Sequence, residues 1–324
     1  MRRRDFMTTS ACIAALALGS RAGLGQNRTF RIGYLASLAP ESTPDLIGSF
    51  RQELKARGYM EGQNLEIDYR WSALPSPALA DELIQLRPDV VVAWATPAVT
   101  AAKQATTTVP IVMVGVSDPV ATGFVASLSR PGGNITGTTN LARDLGGKTL
   151  ELLIELVPTL TSINVLRNPR NPASTFQFPD IEAAALALKR KIAVLDVSND
   201  TELEQAFARM RREGAQAVLA LADPYLIEQR SRIARLAKDA RLPSIFSRRE
   251  NVEGGGLLAY GPSLRAQFRE TAVYVDRILK GEKPAELPVQ QPTTFELVIN
   301  VTTARALGLR IPPTLLERAD EVIE

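Results

Sequence analysis

The stretch Asp89-Val-Val-Val-Ala-Trp-Ala-Thr-Pro-Ala-Val-Thr100 joins a buried strand directly to the start of a helix. Val90 to Ala93 form a continuous apolar run, the pattern of a parallel strand covered on both faces. Thr96-Pro97 ends the run. Proline has no N–H to lose and a φ pre-set for a helix start, so Thr96 reads as the N-cap and Pro97 as the first helical residue. A strand that runs into a helix N-terminus is where an open α/β sheet binds ligands. The phrase recurs as Ala217-Val-Leu-Ala-Leu-Ala-Asp223-Pro224-Tyr225. Each copy leads through a helix to a proline-led strand, Val109-Pro-Ile-Val-Met-Val114 and Leu242-Pro-Ser-Ile-Phe-Ser247. The chain contains two copies of one α/β unit.

Outward from this repeat, strands at Arg31–Ala36, Leu65–Trp71, Val90–Ala93 and Ile111–Val116 alternate with helices in the first half. In the second half, strands at Ile163–Leu166, Ile192–Val197, Ala217–Ala222 and Ser244–Phe246 do the same, with helices expected from about Asp180 to Lys189, Thr201 to Glu213 and Tyr225 to Arg241. This alternation predicts an α/β protein of two Rossmann-like, doubly wound parallel-sheet lobes. Gly256–Pro262, a long helix from Leu264 to Lys280 and the tail after Leu287 read as return crossings that form a hinge. One lobe is expected over residues 27–141 plus about 263–286, the other over 142–262 plus about 287–324.

Residues 1–25 read as a twin-arginine signal peptide: Arg3-Arg4-x-Phe6-Met7, then the apolar run Ala11 to Leu18. That run is too short to span a bilayer. Its removal takes away four arginines and one aspartate, leaving 34 basic and 34 acidic residues from 38 and 35. The pI of 9.1 therefore belongs to the leader, and the balanced mature chain gives no reason to expect nucleic acid or an anionic membrane as partner. Cys12 lies inside the leader without a lipoprotein box, so neither a disulfide nor a lipid anchor is expected. The expectation is a periplasmic protein, meeting the membrane only through a partner.

There is no histidine, and the sole cysteine is lost with the leader. Ser-His-Asp triads, cysteine nucleophiles and the usual zinc sites are thereby excluded. Gly146-Gly147-Lys148-Thr149 lacks the earlier glycine of a phosphate-binding loop, since position 142 is alanine, and reads as a helix start. No cofactor is expected. The two helix starts differ usefully: neutral Thr96 with its free N–H groups suits an anion, whereas a spare carboxylate oxygen on Asp223 suits an ammonium. Facing each other across a cleft, they would take the two charges of an amino acid; the plainer reading is two helix caps worth about 0.5–2 kcal/mol each. Ser37, Ser117 and Asn168 also follow strands on the binding rim. Phe176 and Phe178 read as a loop able to close over an apolar ligand, and Tyr260 as a residue lining the cleft or locking the hinge.

Several stretches together resemble a known family: Tyr59-x-Glu61-Gly62-Gln63-Asn64, Ala95-Thr96-Pro97-Ala98, Asp118-Pro119-Val120, Ser129-Arg-Pro-Gly-Gly-Asn-Ile-Thr-Gly137, Asn168-Pro169, Ala222-Asp223-Pro224, Tyr260-Gly261-Pro262 and Phe295-Glu-Leu-Val-Ile-Asn300. They are similar to ABC-transporter substrate-binding proteins of a group that includes tryptophan- and tyrosine-binding members. The resemblance, from about Arg31 to the C-terminus, implies a type I periplasmic binding-protein fold with three crossings. It also implies a ligand held between the lobes near Thr96, Ser117 and Asp223, and delivery to an ABC permease. The chain departs from the group by an apparent insertion, Ser174 to Pro179. An exported enzyme or a ligand sensor on the same two-lobe fold is the alternative, and no cofactor motif supports the enzyme.

Overall fold

Apolar strands that need cover on both faces build two sheets in the computed structural model, which describes residues 28–140 and 145–324. The signal peptide expected over residues 1–25 lies outside the described residues. The first part runs β1 (Phe30–Ala36), α1 (Pro44–Ala56), β2 (Leu65–Trp71), α2 (Pro77–Gln85), β3 (Val90–Trp94), α3 (Ala95–Ala105), β4 (Ile111–Val116) and β5 (Ile135–Thr139). Next come α4 (Gly146–Leu156), β6 (Ser162–Arg167), α5 (Ser174–Ala187), β7 (Lys191–Asp196), α6 (Asp200–Glu213), β8 (Val218–Ala220), α7 (Pro224–Glu228), α8 (Arg230–Asp239), β9 (Ser244–Phe246), α9 (Arg249–Glu253) and β10 (Leu258–Pro262). The chain closes with α10 (Leu264–Leu279), β11 (Phe295–Asn300), α11 (Val301–Ala306), α12 (Pro313–Arg318) and β12 (Glu321–Ile323).

The first sheet has the order β2-β1-β3-β4-β5, all parallel. The second repeats it as β7-β6-β8-β9-β10 and adds β11, antiparallel to β10, and then β12. The repeat seen in sequence is thus a repeat of topology, with β3 and β8 in the same central place. Along β3, Val90, Val92 and Trp94 enter the apolar layer under α1 and α10, while Val91 and Ala93 enter the one under α2 and α3. The two-residue period of a strand explains why all five are apolar. In the second sheet, Leu150, Ile181 and Leu219 fill one layer, and Leu203, Phe207 and Ile233 the other.

Helix α10 belongs to the first sheet although the chain reaches it only after the second. Ser263 caps it through Ala266 N, and Phe268, Ala272 and Val275 are fully buried against that sheet. Phe268 meets Trp94 edge-on at 5.4 Å. Three segments therefore cross between the sheets, and hydrogen bonds knit them: Thr139 N to Gln290 O at 3.0 Å, Ser263 N to Thr294 O at 3.0 Å, and Gln267 Nε2 to Thr139 O at 3.0 Å. Gly137 can be nothing larger, since a Cβ there would sit 2.1 Å from Met113 O.

Two helix expectations are corrected. Helix α5 begins at Ser174, so Ser174–Pro179 is not a loop. Pro179 sits inside the helix, where it forfeits only the bond to the carbonyl of exposed Thr175. The helix expected from Tyr225 to Arg241 divides at Gln229 into α7 and α8.

The far end of α10 is anchored by Asp276, which accepts from Tyr59 Oη at 3.0 Å and Arg57 NH1 at 3.3 Å and pairs with Lys280 at 2.8 Å. Burial alone would push this carboxyl up; the bonds from Lys280, Tyr59 and Arg57 outweigh it and hold the group below the usual aspartate range. Its stabilisation is present at neutral pH and is lost as pH falls through and below that range. Asp276→Ala is expected to lower stability by about 2–3 kcal/mol at pH 7 in urea unfolding. The deficit should shrink on acidification, and a deficit that does not depend on pH would contradict the assignment.

Candidate functional site

The C-terminal ends of strands from both sheets line one cleft. Trp94, Ala95, Thr96, Gly115 and Ser117 form one wall; Asn171, Ala173, Ala222, Asp223, Ile227 and Arg248 form the other; Asn140 and Leu264 lie at the crossings. The space between them is about 30 Å³. That admits water but not an amino acid, so any larger ligand needs the lobes to part.

On the first wall, the junction of β3 with α3 differs from expectation. The helix starts at Ala95 with Trp94 as the flanking residue, and no side chain caps it. Thr96 is therefore not the N-cap. The chain turns into the helix through Ala95 at φ 70°, so Thr96 is already helical. Thr96 is buried, and Pro97 falls in the first turn, where a missing N–H is harmless. A left-handed alanine at a ligand-facing junction stores strain.

On the second wall, Asp223 is the N-cap of α7, accepting from Leu226 N at 3.1 Å. Asn168 Nδ2 donates to both of its oxygens at 3.2 Å, and Asn171 Nδ2 to Oδ2 at 2.8 Å. The expected spare carboxylate oxygen is thus occupied. The same two asparagines close the turn after β6, since Asn168 Oδ1 accepts from Arg170 N and Asn171 Oδ1 from Ala173 N, both at 3.0 Å. Asp223 clamps its own lobe. Burial pushes its carboxyl up, against the lowering effect of Asn171, Leu226 N and Asn168.

Ser117 is joined across the cleft. Gln177 Nε2, on α5, donates to Ser117 Oγ at 3.0 Å and to Ala222 O at 3.1 Å, while its Oε1 accepts from Ala222 N at 3.1 Å. Of the other anticipated residues, Asn168 acts through Asp223, and Ser37 is buried at the end of β1 with an unpartnered hydroxyl, outside this wall. Phe176 is half-buried on α5, and Phe178 packs into the apolar layer with the Arg167 guanidinium over its ring. Tyr260 lies on β10, stacked on Phe295 at 6.3 Å, and is not brought to the cleft. Asp118 caps a turn through Val120 N and Ala121 N.

Sequence reading missed Gln177 and Arg248. Gln177 was hidden by the loop assigned around Pro179. Arg248 follows β9, so the strand-end rule applied to every strand would have found it. The residue is 5% exposed, NH1 donates to Pro262 O at 2.9 Å, and among the described residues no carboxylate forms an ion pair with it. Burial pulls its pKa down to about 10, opposed by the charges of Glu250 and Glu296.

Residues 33–323 match the family model described as ABC transporter substrate binding protein. A tyrosine-binding protein of Clostridioides difficile (strain R20291) is 29% identical over 266 residues, 81% of this chain and 76% of that protein. A conserved domain protein of Vibrio cholerae O1 biovar El Tor has a crystal structure with TM-score 0.84 and 30% identity, covering 91% of this chain and 100% of that one. The ABC domain in complex with L-Trp from Streptococcus pneumoniae has TM-score 0.83 and 26% identity, with the same coverage.

The strain at Ala95 is open to measurement. A left-handed non-glycine residue costs about 1–2 kcal/mol, and glycine's extra unfolded-state freedom takes back about 0.4–1 kcal/mol. Ala95→Gly is expected to raise the urea-unfolding free energy by about 0.5–1 kcal/mol. A fall of that size would mean that Ala95 is unstrained.

Proposed function

We propose, since this chain belongs to the ABC transporter substrate binding protein family, that it captures an amino acid between its lobes and delivers it to an ABC permease. Members of the family are substrate-binding proteins, not enzymes. The lobes are residues 27–141 with 263–286 and 142–262 with 287–324, and the three crossings between them act as the hinge. After export through the twin-arginine leader the protein works free in the periplasm.

The observation that carries the reading is Arg248, a buried guanidinium in the wall of an inter-lobe cleft that forms no ion pair among the described residues. A carboxylate is its natural complement, because two parallel charge-assisted bonds match the fork of a guanidinium. The first turn of α3, opposite, presents a positive helix end to the same anion. Tryptophan and tyrosine are the first candidates, given what the pneumococcal and clostridial relatives bind.

A thermal-shift screen of the twenty L-amino acids is expected to find a stabilising ligand, since one at about 100 times its Kd adds about 2.7 kcal/mol. Arg248→Gln should weaken that ligand about 10- to 100-fold in titration calorimetry, the value of a charged hydrogen-bonded pair of about 1.5–3 kcal/mol. Unchanged affinity in a folded variant removes the carboxylate contact. Ligand entry also requires the lobes to part and close again, so saturation should reduce the radius of gyration in small-angle scattering. Identical profiles at verified saturation would count against a hinge.

A further inference from the structure

Beside the cleft lies a second cavity of about 210 Å³, walled by Thr43, Asp45 and Leu46 at the start of α1 and by Arg230, Glu250 and Arg265. Arg248 in the cleft wall and Glu250 in this cavity are two residues apart, at the turn into α9. Glu250 is 8% exposed, and neither of its carboxylate oxygens accepts a hydrogen bond from another residue among those described. Thr43 is 6% exposed and flanks α1, yet its hydroxyl caps nothing and is likewise unpartnered. Two buried, unsatisfied side chains from opposite lobes thus meet one space, where each unmade bond has a desolvation cost.

The surrounding charges leave Glu250 to be answered from outside. Arg265 is held by Asp45 at 2.9 Å and Glu253 at 3.3 Å. Arg230 donates to the carbonyls of Ile227 at 3.1 Å and Ser42 at 3.4 Å and forms no ion pair among the described residues. Glu253 is also paired with Arg249 at 3.0 Å, so of the three cavity carboxylates, Asp45, Glu250 and Glu253, only Glu250 forms no ion pair among the described residues. Asp223, by contrast, already receives Asn168, Asn171 and Leu226 N.

We infer that Glu250, with the Thr43 hydroxyl, receives the primary ammonium group of the ligand, and that the body of the ligand occupies this cavity. The inference rests on the amino-acid reading only for the carboxylate at Arg248; the amine half stands on Glu250 and Thr43 alone. An ammonium supplies three donors and no acceptor, which suits an acceptor-only carboxylate and a hydroxyl. Burial pushes the Glu250 carboxyl up, and an arriving cation reverses that by favouring the ionised form. The contact joins the lobes, because Thr43 lies on one and Glu250 on the other.

Titration calorimetry at pH 7 with L-tyrosine, tyramine, n-butylammonium chloride and 3-(4-hydroxyphenyl)propionate tests this on the wild type, Glu250→Gln and Thr43→Val. Tyramine and tyrosine are expected to bind the wild type and to weaken at least tenfold in Glu250→Gln and about threefold in Thr43→Val. The deaminated acid should bind the wild type at least tenfold more weakly than tyrosine and be indifferent to Glu250→Gln. This wild-type comparison holds even if a variant does not fold. Failure of both amines to bind the wild type overturns the inference, as does tyrosine binding within twofold in Glu250→Gln, which would leave the cleft reading intact. Binding of the amines without any α-amino acid supports Glu250 and removes the cleft reading instead.

Discussion

The first sheet cannot be finished by the first half of the chain. One of its faces is covered jointly by α1 and α10, and α10 comes only after β10 of the second sheet. Phe268, Ala272 and Val275 on α10, with Trp94, Val92 and Val114 beneath, are all within 4% of full burial. Each large side chain contributes about 1.5–3 kcal/mol by leaving water. That burial obliges the chain to return from the second lobe, and β11 then obliges it to cross once more. Three crossings follow from covering one sheet. Such a connection is compatible with the clamshell motion proposed above.

The same requirement fixes what lies between the lobes. Parallel strands all end on one side, so the ends of β3, β4, β6, β8 and β9 converge on a single cleft. Some polar groups there are spent on holding a lobe together: Asp223 gathers Asn168, Asn171 and a helix N-terminus. Others are not. Arg248 has one backbone carbonyl, and the Glu250 carboxylate accepts no hydrogen bond from another residue among those described. A stability-optimised interior would pair such groups or replace them by apolar ones. Their retention beside a cavity is the usual sign of stability given up for binding.

The sequence made the architecture legible because the repeat, the strand runs and the proline-led strands are local signals. The site was legible only as a rim. Thr96 was placed in the cleft wall but mistaken for a cap, because nothing local shows that Ala95 adopts φ 70° and starts the helix two residues sooner. Asp223 was expected to offer a free oxygen because its partners lie 52 and 55 residues earlier, and such non-local bonds leave no mark on spacing. Gln177 was lost to an over-reading of Pro179. Tyr260 was drawn toward the cleft by its nearness to a crossing, yet strand alternation turns it onto Phe295 and the outer apolar layer.

The two copies of the strand-to-helix junction show how one repeat gives two unlike walls. At Ala222-Asp223-Pro224 the chain stays extended through Asp223, φ −152°, and the carboxylate satisfies its own helix before any ligand arrives. At Trp94-Ala95-Thr96 the chain instead turns left-handed and begins the helix with no side chain on its first N–H groups. The second arrangement is the less stable, since it adds strain to unmet donors. It also leaves a positive helix end facing the cleft, on the side opposite Arg248. An anion between them would be met from both lobes at once, whereas the same anion could gain nothing from the sealed carboxylate of Asp223. The repeat therefore supplies the frame, and the divergence between its copies gives the cleft a direction.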